Sequence, residues 1–181
     1  MSPVDPVART RQWVDEFVVR LGLCPFAAHP LRQGRVHFVA CPASEVEACF
    51  YWAGSQVETF IQQAVDEVET TLLLFVKSEL DDFEVLLDIV EELEQLLETS
   101  GADAYVQLAH FHPDYRFAGV PTDDPANATN RSPYPIVQLL RVASVTKAVA
   151  AHGHAQDIPR RNAALLRSQP SWALTALRKD G

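Results

Sequence analysis

Long apolar runs are missing from this chain, and this absence bears first on membranes. No apolar segment approaches the roughly 20 residues that a helix needs to cross a bilayer. The opening residues, MSPVDPVARTRQW, also lack the apolar centre of a secretory signal peptide. The sequence therefore predicts a cytoplasmic protein without a membrane partner.

Cysteine is scarce as well, at three residues in 181. An odd number of cysteines spread over a chain of this length does not make the disulfide framework of small secreted domains, so we expect reduced thiols. Repeats, low-complexity tracts and convincing linkers are absent, and the length suits one core. We therefore expect a single domain over residues 1–181.

A basic surface is the third absence. The net charge is −9, but nine of the 24 acids lie between Glu79 and Glu98. Without them, the remaining acids match the 15 lysines and arginines in number, so the acidity belongs to one predicted helix. A solvated helix face explains it better than an acidic binding surface does. Without a basic stripe and interleaved aromatics, nucleic acid is not an expected partner.

Three apolar segments have the length and character of buried strands: Arg35 to Cys41, Thr70 to Lys77 and Tyr105 to Phe111. Helical spacing of apolar residues precedes and separates them. The first helix, residues 7–22, should stop at Gly22, and Ser44 with Glu47 forms a capping-box pattern that opens the second. The acidic segment is the third helix.

A further helix is predicted after the third strand, because Ser132 is a natural N-cap and Pro133 suits the first helical position. The segment IPRRNAALLRS adds a short final helix. This β-α-β-α-β order predicts an α/β fold with a small, mostly parallel three-stranded sheet, an N-terminal helix and C-terminal helices. Functional groups of such sheets gather beyond the carboxyl ends of the strands, and His112 follows one of these ends.

The segment HFHPDYRFAG, residues 110–119, concentrates the polar chemistry. His110 and His112 would point to one face of a strand, as two ligands of a metal do, with Asp114 or Cys24 completing the set. Alternatively, His112 oriented by Asp114 would serve as an acid or base, with Tyr115 nearby. The plain alternative is that these residues pack, and hydrogen-bond the loop.

Asn130 and Arg131 precede the predicted helix that starts at Ser132. Free amides and a guanidinium at a helix start would hold a carboxylate or phosphate of a substrate. Alternatively, Ser132 only caps the helix and Arg131 only pairs with an acid such as Asp123 or Asp124.

Cys24 would be a nucleophile if the fold brought His112 or Arg131 beside it, and Cys-Pro pairs also occur where a thiolate binds haem. A small buried hydrophobe is the plain alternative for Cys24, and Cys49, on an apolar helix face, is assigned to the core. Trp52 falls off that face, so if exposed it would suggest a protein contact.

The segments LGLCPFA, TTLLLFV, FHPDYRFAG, TNRSPYPIVQLLR and IPRRN occur in this order. With this spacing, the chain resembles the bacterial domain-of-unknown-function family 1415 over about residues 9–168. The resemblance implies a soluble single-domain protein and supplies no reaction. His110 lies outside its motifs, at a position where a small residue is common. The motifs include the candidate residues Cys24, His112, Asp114, Tyr115, Asn130, Arg131, Ser132 and Tyr134, and also Asn162.

These features predict a small-molecule enzyme that acts on a carboxylate- or phosphate-bearing metabolite. His112, Asp114 and Tyr115 would transfer protons, Cys24 would be a nucleophile or a pocket wall, and Asn130, Arg131, Ser132 and Tyr134 would bind the substrate. The alternative is a non-catalytic metal- or haem-binding protein that uses Cys24 and His112. An interaction module would rest on Trp52 and the acidic helix. No cofactor and no oligomeric state follow from the sequence.

Overall fold

A computed structural model describes residues 5–170 of the protein. The strands are β1 (Val36–Ala40), β2 (Thr70–Leu74), β3 (Val106–Phe111) and β4 (Ile136–Arg141). The helices are α1 (Pro6–Trp13), α2 (Ala28–Arg32), α3 (Val46–Gln62), α4 (Phe83–Ser100), α5 (Val142–His152) and α6 (Ile158–Arg167). A π-helical stretch, Val14–Val19, continues α1, and short 3₁₀ turns occupy Glu79–Asp81 and Pro125–Asn130.

The four strands form one mixed sheet in the order β1-β2-β4-β3. β1 and β2 are parallel, while β4 runs antiparallel to both β2 and β3. The prediction of an α/β fold is thus confirmed. The predicted sheet of three mostly parallel strands was wrong, because a fourth strand, β4, lies antiparallel between β2 and β3. The three predicted strands do run in one direction. The carboxyl ends of β2 and β3 meet the start of β4, because Ile136 pairs with both Leu74 and Phe111, and β1 ends beside them, because Ala40 pairs with Leu74. We call this border the carboxyl edge.

β4 occupies residues that were predicted to begin a helix at Ser132 and Pro133. Pro135 disfavours the helical conformation of the residue before it, so the chain enters residues 136–141 extended. Ile136, Val137 and Leu139 are fully buried, as expected for an inner strand that is covered on both faces. The helix α5 begins only at Val142. Ser132 is therefore not a helix cap.

The start of α3 also differs from the predicted capping box. Glu45, in an extended conformation, is the N-cap residue and makes no side-chain cap. Instead the Val46 N–H donates to Oε2 of Glu79 at 2.8 Å, and the Glu79 N–H donates to the Ser44 carbonyl at 2.9 Å. A carboxylate from a distant turn thus satisfies the helix terminus and joins the connections that follow β1 and β2.

The first and the acidic helices behave largely as predicted. α1 with its π-helical continuation leads to Gly22, whose φ of +63° ends the helical run. The apolar stripe of α4 is buried and its acids face solvent. Among residues 5–170, no helix is long and apolar enough to span a membrane.

Two hydrophobic clusters cover the two faces of the sheet. The first contains buried residues of α3 and α4 together with Leu73 and Val137, and the second contains residues of α1 and α6 together with Leu72 and Ile136. Cys49 lies in the first cluster, as predicted. Trp52 is half-buried, with its ring centroid 5.9 Å from that of Phe75, so it packs against the core rather than forming an exposed contact.

Candidate functional site

His112 lies immediately beyond β3 and is 1% exposed. Its Nε2 is 3.1 Å from the carbonyl oxygen of Leu80, and the Asp114 N–H donates to its Nδ1 at 3.0 Å. A carbonyl only accepts and an amide N–H only donates, so this arrangement requires the neutral tautomer with hydrogen on Nε2. Burial lowers the pKa of His112, although the Leu80 carbonyl and the Asp114 charge oppose the shift. Both ring nitrogens are thus engaged with backbone.

The structure brings His112 and the Asn130–Ser132 segment together, as the sequence predicted, but through their backbones. The His112 N–H donates to the Asn130 carbonyl at 3.1 Å, and the Ser132 N–H donates to the His112 carbonyl at 3.4 Å. This extends the β3–β4 pairing beyond the strands. Ser132 and Tyr134 are both buried, and Oγ of Ser132 donates to the Tyr134 carbonyl at 2.5 Å. No helix starts here, so the helix terminus on which the predicted anion site depended is absent from this segment.

Arg131 spans the loop that follows His112. Its Nε donates to the carbonyl of Tyr115 at 3.0 Å and its Nη2 to the carbonyl of Thr122 at 2.7 Å. Asp124, one of its predicted partners, instead forms a two-bond ion pair with Arg167 at 2.9 and 3.0 Å. Arg167, and then the Ala126 amide, hold the pKa of Asp124 below its usual value. Arg131 therefore holds backbone of the loop in place.

Tyr115 is the centre of an aromatic and polar group at the carboxyl edge. Its ring centroid lies 5.2 Å from that of Phe83, 5.0 Å from Phe117 and 5.5 Å from the imidazole of His110. Burial raises the pKa of Tyr115, and a hydrogen bond with the Asn130 side chain opposes the shift. Nδ2 of Asn130 also donates to the His110 carbonyl at 3.2 Å. The phenol is thus neutral at physiological pH and held in place.

His110, which the resemblance left outside the motifs, differs from His112 in its availability. Its side chain is half-buried against Tyr115, and within residues 5–170 its ring nitrogens form no hydrogen bond. Burial lowers the pKa of His110. Burial therefore favours the neutral imidazole of His110, whose nitrogens have no hydrogen-bond partner within the described chain. The sequence shows that His110 and His112 lie two residues apart, but it does not show that their side chains have different partners.

An open depression of about 470 Å³ adjoins Tyr115. Arg116 lies in its wall, with Nη2 2.5 Å from Oε1 of Glu84 and the guanidinium 5.9 Å from the Phe83 ring centroid. Phe83 and Glu84 had not been predicted to take part, because they start the acidic helix far from this loop in sequence. The lining residues are Phe83, Glu84, Leu87, Tyr115, Arg116, Phe117, Ala118, Gly119 and Val120.

Cys24 belongs to a separate group that forms around the start of α6. Burial raises the pKa of the Cys24 thiol, although the backbone amides of Phe26 and Ala27 and the charge of Arg161 oppose this shift. Nδ2 of the buried Asn162 donates to the Leu23 carbonyl at 2.7 Å, which joins the loop to α6. Leu23 packs in the second cluster, on the sheet face opposite the Phe83 that contacts His112.

Comparison with known proteins identifies the family. A family model described as "Protein of unknown function (DUF1415)" matches residues 5–175, nearly the whole chain. The chain belongs to the DUF1415 family. No curated protein and no solved structure matches it. The resemblance inferred from the motifs is confirmed, and the family description names no activity.

The DUF1415 motifs thus form two groups in space. One joins HPDYRFAG to the Asn130–Ser132 segment, and the other joins CPFA to PRRN. In the part of the chain that the structure describes, no hydrogen bond or ring contact joins Cys24 to His112, and no cluster of three or more His, Cys, Asp and Glu residues could hold a metal ion. A metal or haem on His112 would have to break one of its two backbone bonds.

Proposed function

We propose that this protein is an enzyme that binds a small molecule bearing a carboxylate or phosphate in the depression beside Tyr115. The observation that carries the proposal is the composition of this depression. Three aromatic rings, those of Phe83, Tyr115 and Phe117, line it together with one guanidinium, that of Arg116. Apolar walls with a few placed polar groups are typical of small-molecule sites, and such sites lie at the carboxyl ends of strands in α/β sheets.

Arg116 is the proposed anion-binding group. Its partner Glu84 is 65% exposed and Arg116 itself 52%, so water screens the pair and its net contribution to stability is small, about 1 kcal/mol or less. An incoming carboxylate or phosphate would replace Glu84 and accept hydrogen bonds from the Arg116 guanidinium in a bidentate geometry, while Glu84 turned into solvent. The neighbouring aromatic rings would bury the apolar part of the ligand.

Proton transfer is assigned to Tyr115 and His110 rather than to His112. Tyr115 lines the depression and carries a neutral hydroxyl, which suits a hydrogen-bond donor or general acid. His110 packs against it with available nitrogens, which suits a base. His112 would lose both backbone hydrogen bonds by turning toward a substrate. Asn130 positions Tyr115, while Arg131 and Ser132 hold the loop. Cys24, in the separate group, has no part in the proposed chemistry.

A ligand screen with matched variants tests the proposal. Carboxylate- and phosphate-bearing metabolites, each paired with a neutral ester or amide, would be titrated while the backbone amide signals of residues 115–120 are followed by NMR. We expect an anionic member to shift these signals and its neutral partner to leave them unchanged. Arg116→Gln should weaken binding by about 10- to 100-fold, the value of a lost charge-assisted contact.

The matched control is Arg160→Gln, because Arg160 also forms an exposed ion pair, with Asp157, but lies on α6. This variant should bind as the unaltered protein does. For a compound that is turned over, Tyr115→Phe should lower kcat more than it raises KM. The proposal fails if Arg116→Gln binds as tightly as the unaltered protein, or if every ligand found shifts signals elsewhere in the chain.

A further inference from the structure

Two of the three cysteines face each other in the core near the carboxyl edge. Cys41 directly follows β1, and its N–H donates to the Leu74 carbonyl at 2.7 Å. Cys49 lies in the first turn of α3, where its Sγ is 3.6 Å from the Ala43 carbonyl. The two sulfur atoms are 3.9 Å apart. Neither residue lines the depression beside Tyr115, so the chemistry of this cysteine pair is independent of the proposed ligand site.

The contact distance sets what chemistry the pair can perform. A disulfide bond is about 2.05 Å long, so the sulfurs must approach each other by about 2 Å to bond. Zinc commonly takes four ligands, and within the described chain no third His, Cys, Asp or Glu joins the pair. Bond formation between the two sulfurs is therefore better supported than metal binding.

We propose that Cys41 and Cys49 are an oxidation site at which a hydroperoxide converts the two thiols into an intramolecular disulfide. Cys41 reacts first, since it retains 7% exposure and Cys49 has none. Its thiolate attacks one peroxide oxygen, the O–O bond breaks, and the hydroxide that leaves takes up a proton as water. The product at Cys41 is a sulfenic acid.

The second step closes the bond. The Cys49 sulfur attacks the Cys41 sulfur, the S–O bond breaks, and the hydroxyl leaves as water with the Cys49 proton. In total two thiols lose two electrons and two protons, and one molecule of hydrogen peroxide becomes two molecules of water. Burial, and then the neighbouring Cys41, raise the pKa of Cys49 to about 12, so Cys49 rarely initiates the reaction but lies within reach of a sulfenic acid.

The size of the oxidant follows from the same burial. Cys41 as a residue is only 7% exposed, so a molecule as small as hydrogen peroxide has better access to it than glutathione disulfide, which must place a tripeptide against the sulfur. The bond would tie the end of β1 to the first turn of α3, enclosing residues 42–48. This connection also carries the contacts of Ser44 and Val46 with Glu79. Oxidation would thus tether one side of the carboxyl edge.

The test uses the native full chain, treated with hydrogen peroxide or with glutathione disulfide, then alkylated and digested for mass spectrometry. We expect peroxide to remove about 2 Da, to yield a Cys41–Cys49 cross-linked peptide, and to be reversed by dithiothreitol, while glutathione disulfide yields little of it. Cys24→Ala should give the same product. Cys49→Ala should lose the cross-link and gain about 32 Da at Cys41 as sulfinic acid.

Two results would overturn the proposal, and both come from the unaltered protein, so they do not depend on how a variant folds. One is over-oxidation of Cys41 without any cross-link to Cys49. The other is the absence of a Cys41–Cys49 cross-link because Cys24 forms the cross-link instead or because peroxide oxidises no thiol.

Discussion

Replacing His112 by alanine separates a structural role for this residue from a catalytic one. The change would leave the buried Leu80 carbonyl and the Asp114 amide without their present partner. Each unpaired group costs about 1–3 kcal/mol, and the imidazole also packs at 5.2 Å against Phe83, so we expect a loss of about 3–5 kcal/mol in the free energy of unfolding. Since 1 kcal/mol shifts Tm by about 2–4 °C at this size, Tm should fall by about 6–20 °C.

The matched control is His110→Ala, two residues earlier on the same strand. His110 forms no side-chain hydrogen bond within the described chain and is half-buried, so its loss should cost about 1 kcal/mol, mainly from its contact with Tyr115. Urea denaturation followed by circular dichroism measures both variants. The structural role of His112 is refuted if His112→Ala unfolds at the same urea concentration as the unaltered protein. If it also abolished ligand turnover, His112 would be the catalytic group that the sequence suggested.

Two further predictions concern pH and the end of α3. Because burial lowers the folded-state pKa of both His110 and His112, the unfolded chain binds more protons as pH falls below about 6.5, and stability should decline there. The urea midpoints at pH 5 and pH 8 measure this decline. If His110→Gln lost as much stability between these two pH values as the unaltered protein does, His110 would not contribute to the decline. Arg141 donates to the carbonyls of Val68, Phe60 and Gln63, so Arg141→Gln should cost about 2–4 kcal/mol by urea denaturation. Arg160→Gln, at an exposed position of α6, should cost far less, and equal costs for the two variants would contradict this role of Arg141.

The secondary structure was predictable wherever the local pattern had one interpretation. The buried run Thr70–Leu74 and the amphipathic α4 were correctly predicted because their periodicity is local. Ile136–Arg141 was missed because its apolar run suits a strand or a buried helix equally well, and Ser132 with Pro133 imitates a helix start. Pro135 was the available signal against the helix, since it restricts the residue before it.

The candidate site was only partly predictable. The sequence placed residues 112–115 beside residues 130–132 correctly, because a segment that follows a strand's carboxyl end meets others at that edge. The proposal that Cys24 completes this group finds no support in the contacts. Phe83 and Glu84 line the depression because α4 packs across the sheet, and no local pattern carries that information.

The family, three of the four strands, the amphipathic helices and the edge of the sheet at which polar groups collect could all be inferred from the order of residues. Each of these depends on short-range spacing or on motif residues that can be seen in order along the chain. Two features could not be read from residue order: β4 lies between β2 and β3, and the Leu80 carbonyl contacts His112 from 32 residues away along the chain. Sheet order and hydrogen-bond partners depend on contacts between segments that are far apart in sequence. The spacing of residues along the chain does not specify which of these segments come into contact.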